Sequence, residues 1–244
     1  MVTTEQVVPA ARLHANVASR NLARTYAVRR ALGTKARRDA YELRHNSYLN
    51  SGHLDPRPDG LFSDSFDLLA SSHTAVVYEG ERPVASVRVC FLSSDNITAA
   101  PAGLTYPKEV SSLLAGLPRH PGKPQAVEVN RLVRSPAAEN DQGLVFLLLR
   151  VAGYFALLEE VPLMVCCVRQ NHVLFYRRIG CYKVGDLRPY HEVKFSTELL
   201  ACPRKNYDEA RATFPILDPS AGPPDSFAGF MSGHPVRMPL YHEV

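Results

Sequence analysis

The apolar positions of this chain fall into two periods. Residues 126–134 read Ala-Val-Glu-Val-Asn-Arg-Leu-Val-Arg, with Val127 and Val129 apolar and Glu128 and Asn130 polar between and after them. Alternation of that kind is the two-residue period of a strand. Residues 74–79 and 83–92 predict two more strands, and Glu79-Gly-Glu-Arg-Pro83 between them reads as a hairpin turn. Residues 143–160 are apolar nearly all round, which predicts a buried helix, and Pro162 breaks it. Residues 163–168 form a continuous apolar run of the kind found inside a sheet. Residues 182–187 and 193–199 are expected to close that sheet.

Further helices are predicted on other signals. Residues 9–32 have Pro9 in a first turn, Leu13 and Val17 four apart, and Gly33 as a stop. Residues 34–49 place Tyr41, Leu43 and Tyr48 on an apolar side. A short helical patch falls near 110–117, and another helix over 171–179 has Asn171 as its cap and Gly180 as its end. Residues 54–67 hold two prolines, a glycine and four aspartates and read as a loop. From Cys202 onward, repeated prolines predict an irregular tail. The order of elements predicts one α/β domain with a mixed sheet and helices upon it. The expected division is a basic helical extension over 1–36, the main domain over 37–202 and a Pro-rich tail over 203–244.

Composition narrows the class. The chain has 244 residues, 45% hydrophobic and 21% charged, which fits an ordinary globular protein. A net charge of +4 is too mild to argue for nucleic acid. The basic residues are uneven, however: Arg12, Arg20, Arg24, Arg29, Arg30, Lys35, Arg37 and Arg38 crowd the N-terminal part. A cationic face suits an acidic carrier protein, an anionic membrane surface or RNA; a solvated helix face is the bland alternative. The cysteines, Cys90, Cys166, Cys167, Cys181 and Cys202, are odd in number and lack the C-x-x-C spacing of a zinc or redox site. They predict a reduced, cytoplasmic protein with no bound metal. The first thirty residues lack the apolar run of a signal peptide, and Arg150 cuts the longest apolar stretch, so no membrane span is expected.

Candidate chemistry centres on Glu128 and Arg131. Three residues apart on a regular strand, they point to opposite faces; a bulge between them would bring them to one face and free a backbone N–H. The alternative is an edge strand with a solvated ion pair. Arg88, inside Val87-Arg-Val-Cys-Phe91, either faces outward or is paired in a site. Asp64 and Asp67 flank Phe66 and present carboxylates from the loop.

Several of these segments together resemble known families. Asn171-His-Val-Leu-Phe-Tyr-Arg-Arg-Ile-Gly-Cys-Tyr182 is similar to the Asn…Tyr-x-x-x-Gly-Phe segment of the GCN5-related N-acetyltransferase (GNAT) fold, with Cys181 in place of the aromatic. Tyr41-Glu-Leu-Arg-His-Asn-Ser-Tyr48, Gly60-Leu-Phe-Ser-Asp-Ser-Phe-Asp67, Pro83-Val-Ala-Ser-Val-Arg-Val89 and Glu128-Val-Asn-Arg131 follow in the order used by the N-acyl amino acid synthases and their relatives, the acyl-homoserine-lactone synthases. The resemblance covers roughly residues 40–200. It implies a GNAT-like, mostly antiparallel central sheet flanked by helices, and an N-acyltransferase that joins a long-chain acyl group to an amino acid.

Two departures refine that implication. The segment after the central strand, Arg134-Ser-Pro-Ala-Ala-Glu-Asn-Asp-Gln-Gly143, lacks the glycine spacing that cradles a coenzyme A pyrophosphate. Pro136 removes an N–H, and Glu139 and Asp141 repel phosphate. An acyl carrier protein is therefore the expected donor ahead of acyl-CoA, with no bound cofactor. The absence of tryptophan weakens a lactone-forming reading that would use S-adenosylmethionine. That reading remains an alternative, as does a silent module that binds the carrier without turnover.

The resemblance implies roles for particular residues. Glu128 is the expected general base, directly or through water, or else a structural partner of Arg131. Backbone N–H groups near Leu132 and Val133 are the expected oxyanion donors. Tyr176 could protonate the leaving thiolate, or could be a core aromatic. Arg44, Arg88 and Arg131 are candidates to grip the acceptor carboxylate, with Asp64 and Asp67 orienting them. The apolar residues of 144–158 and 163–168 could line a lipid tunnel or be plain core.

Overall fold

The structure is a computed structural model that describes residues 26–221 and 226–238. In chain order its regular elements are β1 (Tyr26–Arg30), α1 (Thr34–Asn50), β2 (Ser72–Glu79), β3 (Arg82–Leu92), α2 (Pro101–Thr105), α3 (Pro107–Ala115), β4 (Ala126–Arg134), α4 (Gln142–Leu158), β5 (Leu163–Val168), α5 (Val173–Arg178), β6 (Tyr182–Pro189), β7 (Ser196–Pro203), α6 (Arg204–Thr213), α7 (Ser226–Met231) and β8 (Val236–Arg237). The strands form one sheet in the order β6-β7-β5-β4-β3-β2-β1-β8. Among the described residues β4 and β5 are the one parallel pair, and they pair over Ala126–Glu128 against Leu163–Val165. Both strands continue beyond that point, so the sheet is splayed at its centre.

Alternation sorts the two faces. Val127 packs with Leu144, Leu147, Leu148 and Val151 of α4, which buries its apolar surface against the sheet as its sequence predicts. On the opposite face Ala126 packs with Tyr106, Val110 and Leu114 around α2 and α3. Val76, Tyr78 and Val133 take Ala36, Ala40 and Leu43 of α1 on that same face. Adjacent Cys166 and Cys167 point to opposite sides, one into each core.

Three expectations are corrected. Residues 26–30, expected at the end of a long N-terminal helix, are a strand: Tyr26 and Val28 are buried, and the segment pairs with Glu79–Ala75 of β2. Pairing on both edges decides this against the helical reading. Arg29 and Arg30 therefore lie in the sheet, and the rest of the expected helix, residues 9–25, is outside the described residues. The stretch from Cys202, expected to be irregular, holds the ten-residue helix α6. Pro203 stands just before α6, where a missing N–H costs nothing. Finally, Asn171 does not cap the helix after β5. It sits in a 3-10 turn (Gln170–His172), and α5 begins after His172 without a side-chain cap. Among the described residues no helix is long and apolar enough to cross a membrane.

Candidate active site

Glu128 is fully buried in β4, opposite Cys90 of β3 and Val165 of β5. Its Oε2 accepts the Ala102 N–H at 2.7 Å, and its Oε1 accepts the Tyr190 hydroxyl at 2.8 Å. The Cys167 thiol lies against the same carboxyl. Burial pushes the Glu128 pKa up to about 7, even though the Ala102 N–H, the Tyr190 hydroxyl, Arg88 and Arg131 all favour its anion. A carboxyl poised there can hold or release a proton near neutral pH, as a general base requires.

β4 does carry a bulge, and it falls at Arg131–Leu132 itself, not between Glu128 and Arg131. Ser86 pairs with Val133 and Arg88 with Asn130, so β4 has two residues where β3 has one. Arg131 carries the extra turn with φ of 49°, a left-handed conformation that costs a non-glycine residue about 1–3 kcal/mol. It brings the Arg131 guanidinium to the face that Glu128 occupies. There it is ringed by Tyr48, Phe62 and Tyr190, with ring centroids 4.7–6.0 Å away.

The loop carboxylates lock the arginines together. Arg88 donates to both Asp64 oxygens, at 2.5 and 2.9 Å, and through Nε to Asn130 at 2.8 Å. Arg131 reaches Asp64 Oδ2 at 2.8 Å, and Arg44 holds both oxygens of Asp67 at 2.8 Å. Asp64 also caps the 3-10 turn Ser65–Leu68, with Asp67 closing the reciprocal bond of a capping box. The D-x-x-D spacing thus builds the turn and serves the arginines at once. Burial alone would raise the Asp64 pKa, but Arg88 and Arg131 hold it well below the usual carboxylate range. Three guanidiniums against two carboxylates leave one net positive charge. Among these buried groups Arg131 Nη1 and Arg44 Nε have no hydrogen-bond partner.

The structure therefore gathers Glu128, Arg131, Arg44, Arg88, Asp64 and Asp67 on one face. Tyr176 is not among them. It lies across the sheet, where it lines an apolar cavity with Val129, Met164, Cys166 and Gly153. Burial, with Cys166 and Cys181 beside it, pushes its pKa up, so the phenol stays protonated. The cavity is only about 40 Å³, far too small for a long acyl chain without displacement of side chains. Leu132 is half-buried toward the α4 core, and Val133 is buried under α1. Beyond α1 and β4, sequence reasoning missed Tyr190, the Ala102 N–H and Cys167. Tyr190 and Ala102 lie in no quoted motif, and each reaches Glu128 from a different turn.

Among the described residues no group of three or more His, Cys, Asp or Glu is placed to hold a metal ion. The N-terminus of α4 is occupied by its own chain: Asp141 Oδ1 accepts the Gly143 N–H at 3.0 Å, and Asp141 Oδ2 accepts the Tyr26 hydroxyl at 2.6 Å.

Comparisons with known proteins agree with this geometry. The family described as N-acyl amino acid synthase FeeM matches residues 39–203. A search of curated proteins returns no match. Among solved structures the chain is similar to FeeM, an N-acyl amino acid synthase from uncultured soil microbes. The TM-score is 0.64 at 16% identity, over 78% of this chain and 99% of that one. It is also similar to BjaI, a CoA-dependent acyl-homoserine lactone synthase (TM-score 0.54, 17% identity, 77% and 89% of the two chains). LasI, an acyl-homoserine lactone synthase, gives a TM-score of 0.51 at 16% identity over 72% and 88%. At such identities the structures speak for the fold alone, while the family match spans most of the chain and all six residues gathered above. The chain belongs to the FeeM family of N-acyl amino acid synthases, acyltransferases built on a GNAT-like fold.

Proposed function

We propose that this protein transfers a long-chain acyl group from an acyl-carrier-protein thioester to the α-amino group of an amino acid. The observation that carries this is the Glu128 carboxyl, held by Ala102 and Tyr190 beside the buried Arg131 guanidinium, where β4 and β5 part. Glu128 takes the proton of the attacking ammonium group. Arg131, with Nη1 unpartnered, receives the acceptor carboxylate. The thioester enters the splay between β4 and β5, and backbone N–H groups around Leu132 and Val133 at the bulge hold the developing oxyanion. Tyr176, protonated on the far side of the splay, donates to the departing thiolate. The amine attacks the carbonyl carbon, the C–N bond forms, the C–S bond breaks, and the thiol leaves with the proton from Tyr176; the nitrogen gives up its second proton, which restores the Tyr176 phenol by way of solvent, while Glu128 releases the first to solvent. Because Glu128 has no solvent exposure, Tyr190 or the Pro101–Thr105 turn must withdraw before the amine reaches it.

A carrier protein rather than coenzyme A is supported by two features. Asp141 occupies the helix terminus where a pyrophosphate would sit and would repel it. Arg134 and Arg169 both stand beside His172, where β4 ends and α5 begins, and give a cationic rim suited to an acidic carrier. The test is mass spectrometry of lipid extracts from cells expressing the wild type or Glu128→Ala. N-acyl amino acids present with the wild type and lost in the variant are expected. Acyl-homoserine lactones would replace this reading with the lactone synthase, and carrier binding without any product would replace it with the silent module.

A further inference from the structure

A second cavity, of about 270 Å³, lies between the β1–α1 junction and the start of β2, with Arg30, Arg37, Tyr41 and His73 in its walls. It is separate from the proposed transfer site. The segment carrying Phe66 and Asp67 stands between them, and Ser72 of the cavity is two strands from Glu128 through Cys90, about 10 Å across the sheet.

The polar end is cationic. Arg30 is fixed by the Met231 carbonyl at 3.2 Å and by His73 Nδ1 at 2.9 Å, and its Nε is buried without a partner. Burial and Arg30 push the His73 pKa down to about 4, so the imidazole stays neutral beside it. Arg37 adds a second cation at the mouth. The carboxylate in the wall, Asp67, does not offset them, since Arg44 and Arg88 already take it from behind.

Exposed aliphatic side chains share the lining with these cations. Leu32, Leu68 and Leu69 line the same cavity, and they are 44%, 84% and 39% exposed. Three exposed leucines in the lining of one cavity are an unusual surface feature. We propose that this pocket binds the acid head of a single-chain amphiphile, with the carboxylate at Arg30 and Arg37 and the alkyl chain over Leu32, Leu68 and Leu69. The volume suits a small head group with the start of one chain. A sugar phosphate or nucleotide would leave the leucines uncovered. The proposal goes beyond the acyl-transfer reading and does not depend on it.

The test is photo-crosslinking of the full chain with a diazirine-bearing dodecanoic acid, mapped by peptide mass spectrometry. Labelling of residues 30–41 and 67–74 is expected, competed by dodecanoate and not by dodecanol. The surface variant Leu32→Ser/Leu68→Ser should lower it at least tenfold and leave acyl transfer unchanged. Labelling confined to residues around Val129 and Met164, equal competition by dodecanol, or no response to the double substitution would overturn the proposal. Sedimentation with phosphatidylcholine vesicles, with and without dodecanoic acid in the bilayer, separates the sources. Variant-sensitive binding to the acid-bearing vesicles alone means a bilayer presents the head group; labelling without vesicle binding means the amphiphile arrives free. Loss of transfer activity in Glu128→Ala does not affect any of these readouts.

Discussion

Tyr190 donates its hydroxyl to Glu128 Oε1 at 2.8 Å across 62 positions of sequence, and its ring stacks on Phe195 with 13° between the planes. A hydrogen bond to a carboxylate favours the ionised form. Removing it in Tyr190→Phe should raise the Glu128 pKa further. If ionised Glu128 is the base, activity rises as pH rises through about 7 in the wild type. The limb should move to higher pH by about one unit in the variant, which corresponds to ~1.4 kcal/mol. Profiles of kcat/KM against pH check this, and an unmoved limb would detach Tyr190 from the base.

Glu128→Gln keeps the size of the side chain and removes the base. Turnover should fall by roughly 10²–10⁴, with the fold retained by circular dichroism. Full turnover in this variant would remove Glu128 from the mechanism.

Asp64 separates Arg88 from Arg131, and all three side chains are buried. Asp64→Asn leaves two guanidiniums facing each other, which should cost about 3–5 kcal/mol of stability in urea unfolding. The same carboxyl sets an acid sensitivity. Its folded pKa is depressed, so its contribution is complete above the ordinary carboxylate value and is lost as pH falls below it. A loss under 1 kcal/mol in Asp64→Asn would mean that the network relaxes freely.

The two arginines should separate in kinetics. Arg88 spends its donors on Asp64, Asp67 and Asn130, so Arg88→Lys should lower stability with little change in KM for the amino acid. Arg131→Lys loses the planar fork beside the acceptor and should raise that KM more than it lowers kcat. The opposite pattern would move the carboxylate grip to Arg88.

Gly103 tests the backbone donor. A Cβ there would sit 1.7 Å from the Ile97 carbonyl oxygen, so Gly103→Ala must displace the Pro101–Thr105 turn that aims the Ala102 N–H at Glu128. A loss of about 1–3 kcal/mol and of most activity is expected. Gly116→Ala, where the nearest atom is 3.7 Å away, is the control and should change neither.

Much of the site was legible because its chemistry is local. Asp64-x-x-Asp67 is a capping box and also accepts the arginines' ion pairs, so one tetrapeptide carries both functions. Glu128 and Arg131 were legible as a pair because a carboxylate and a guanidinium inside an apolar strand demand partners. Residues 26–30 were misread because five residues contain too little period to choose between helix and strand; β2 and β8 made the choice. Tyr190 had no local signal at all, since a tyrosine in a turn after Pro189 looks like any other.

The sequence by itself determined the strands over 126–134 and 163–168, the buried helix between them, and the order of charged residues that identifies the family. Those properties depend on side-chain period and type, which neighbouring positions carry. Only the tertiary structure decided that Arg131 turns through a left-handed bulge to join Glu128. It also decided that Tyr176 falls on the other face, and that Ala102 and Tyr190 close around the carboxyl. These depend on how distant segments meet, and the cost of burying Glu128, Arg88 and Asp64 is offset only when they do.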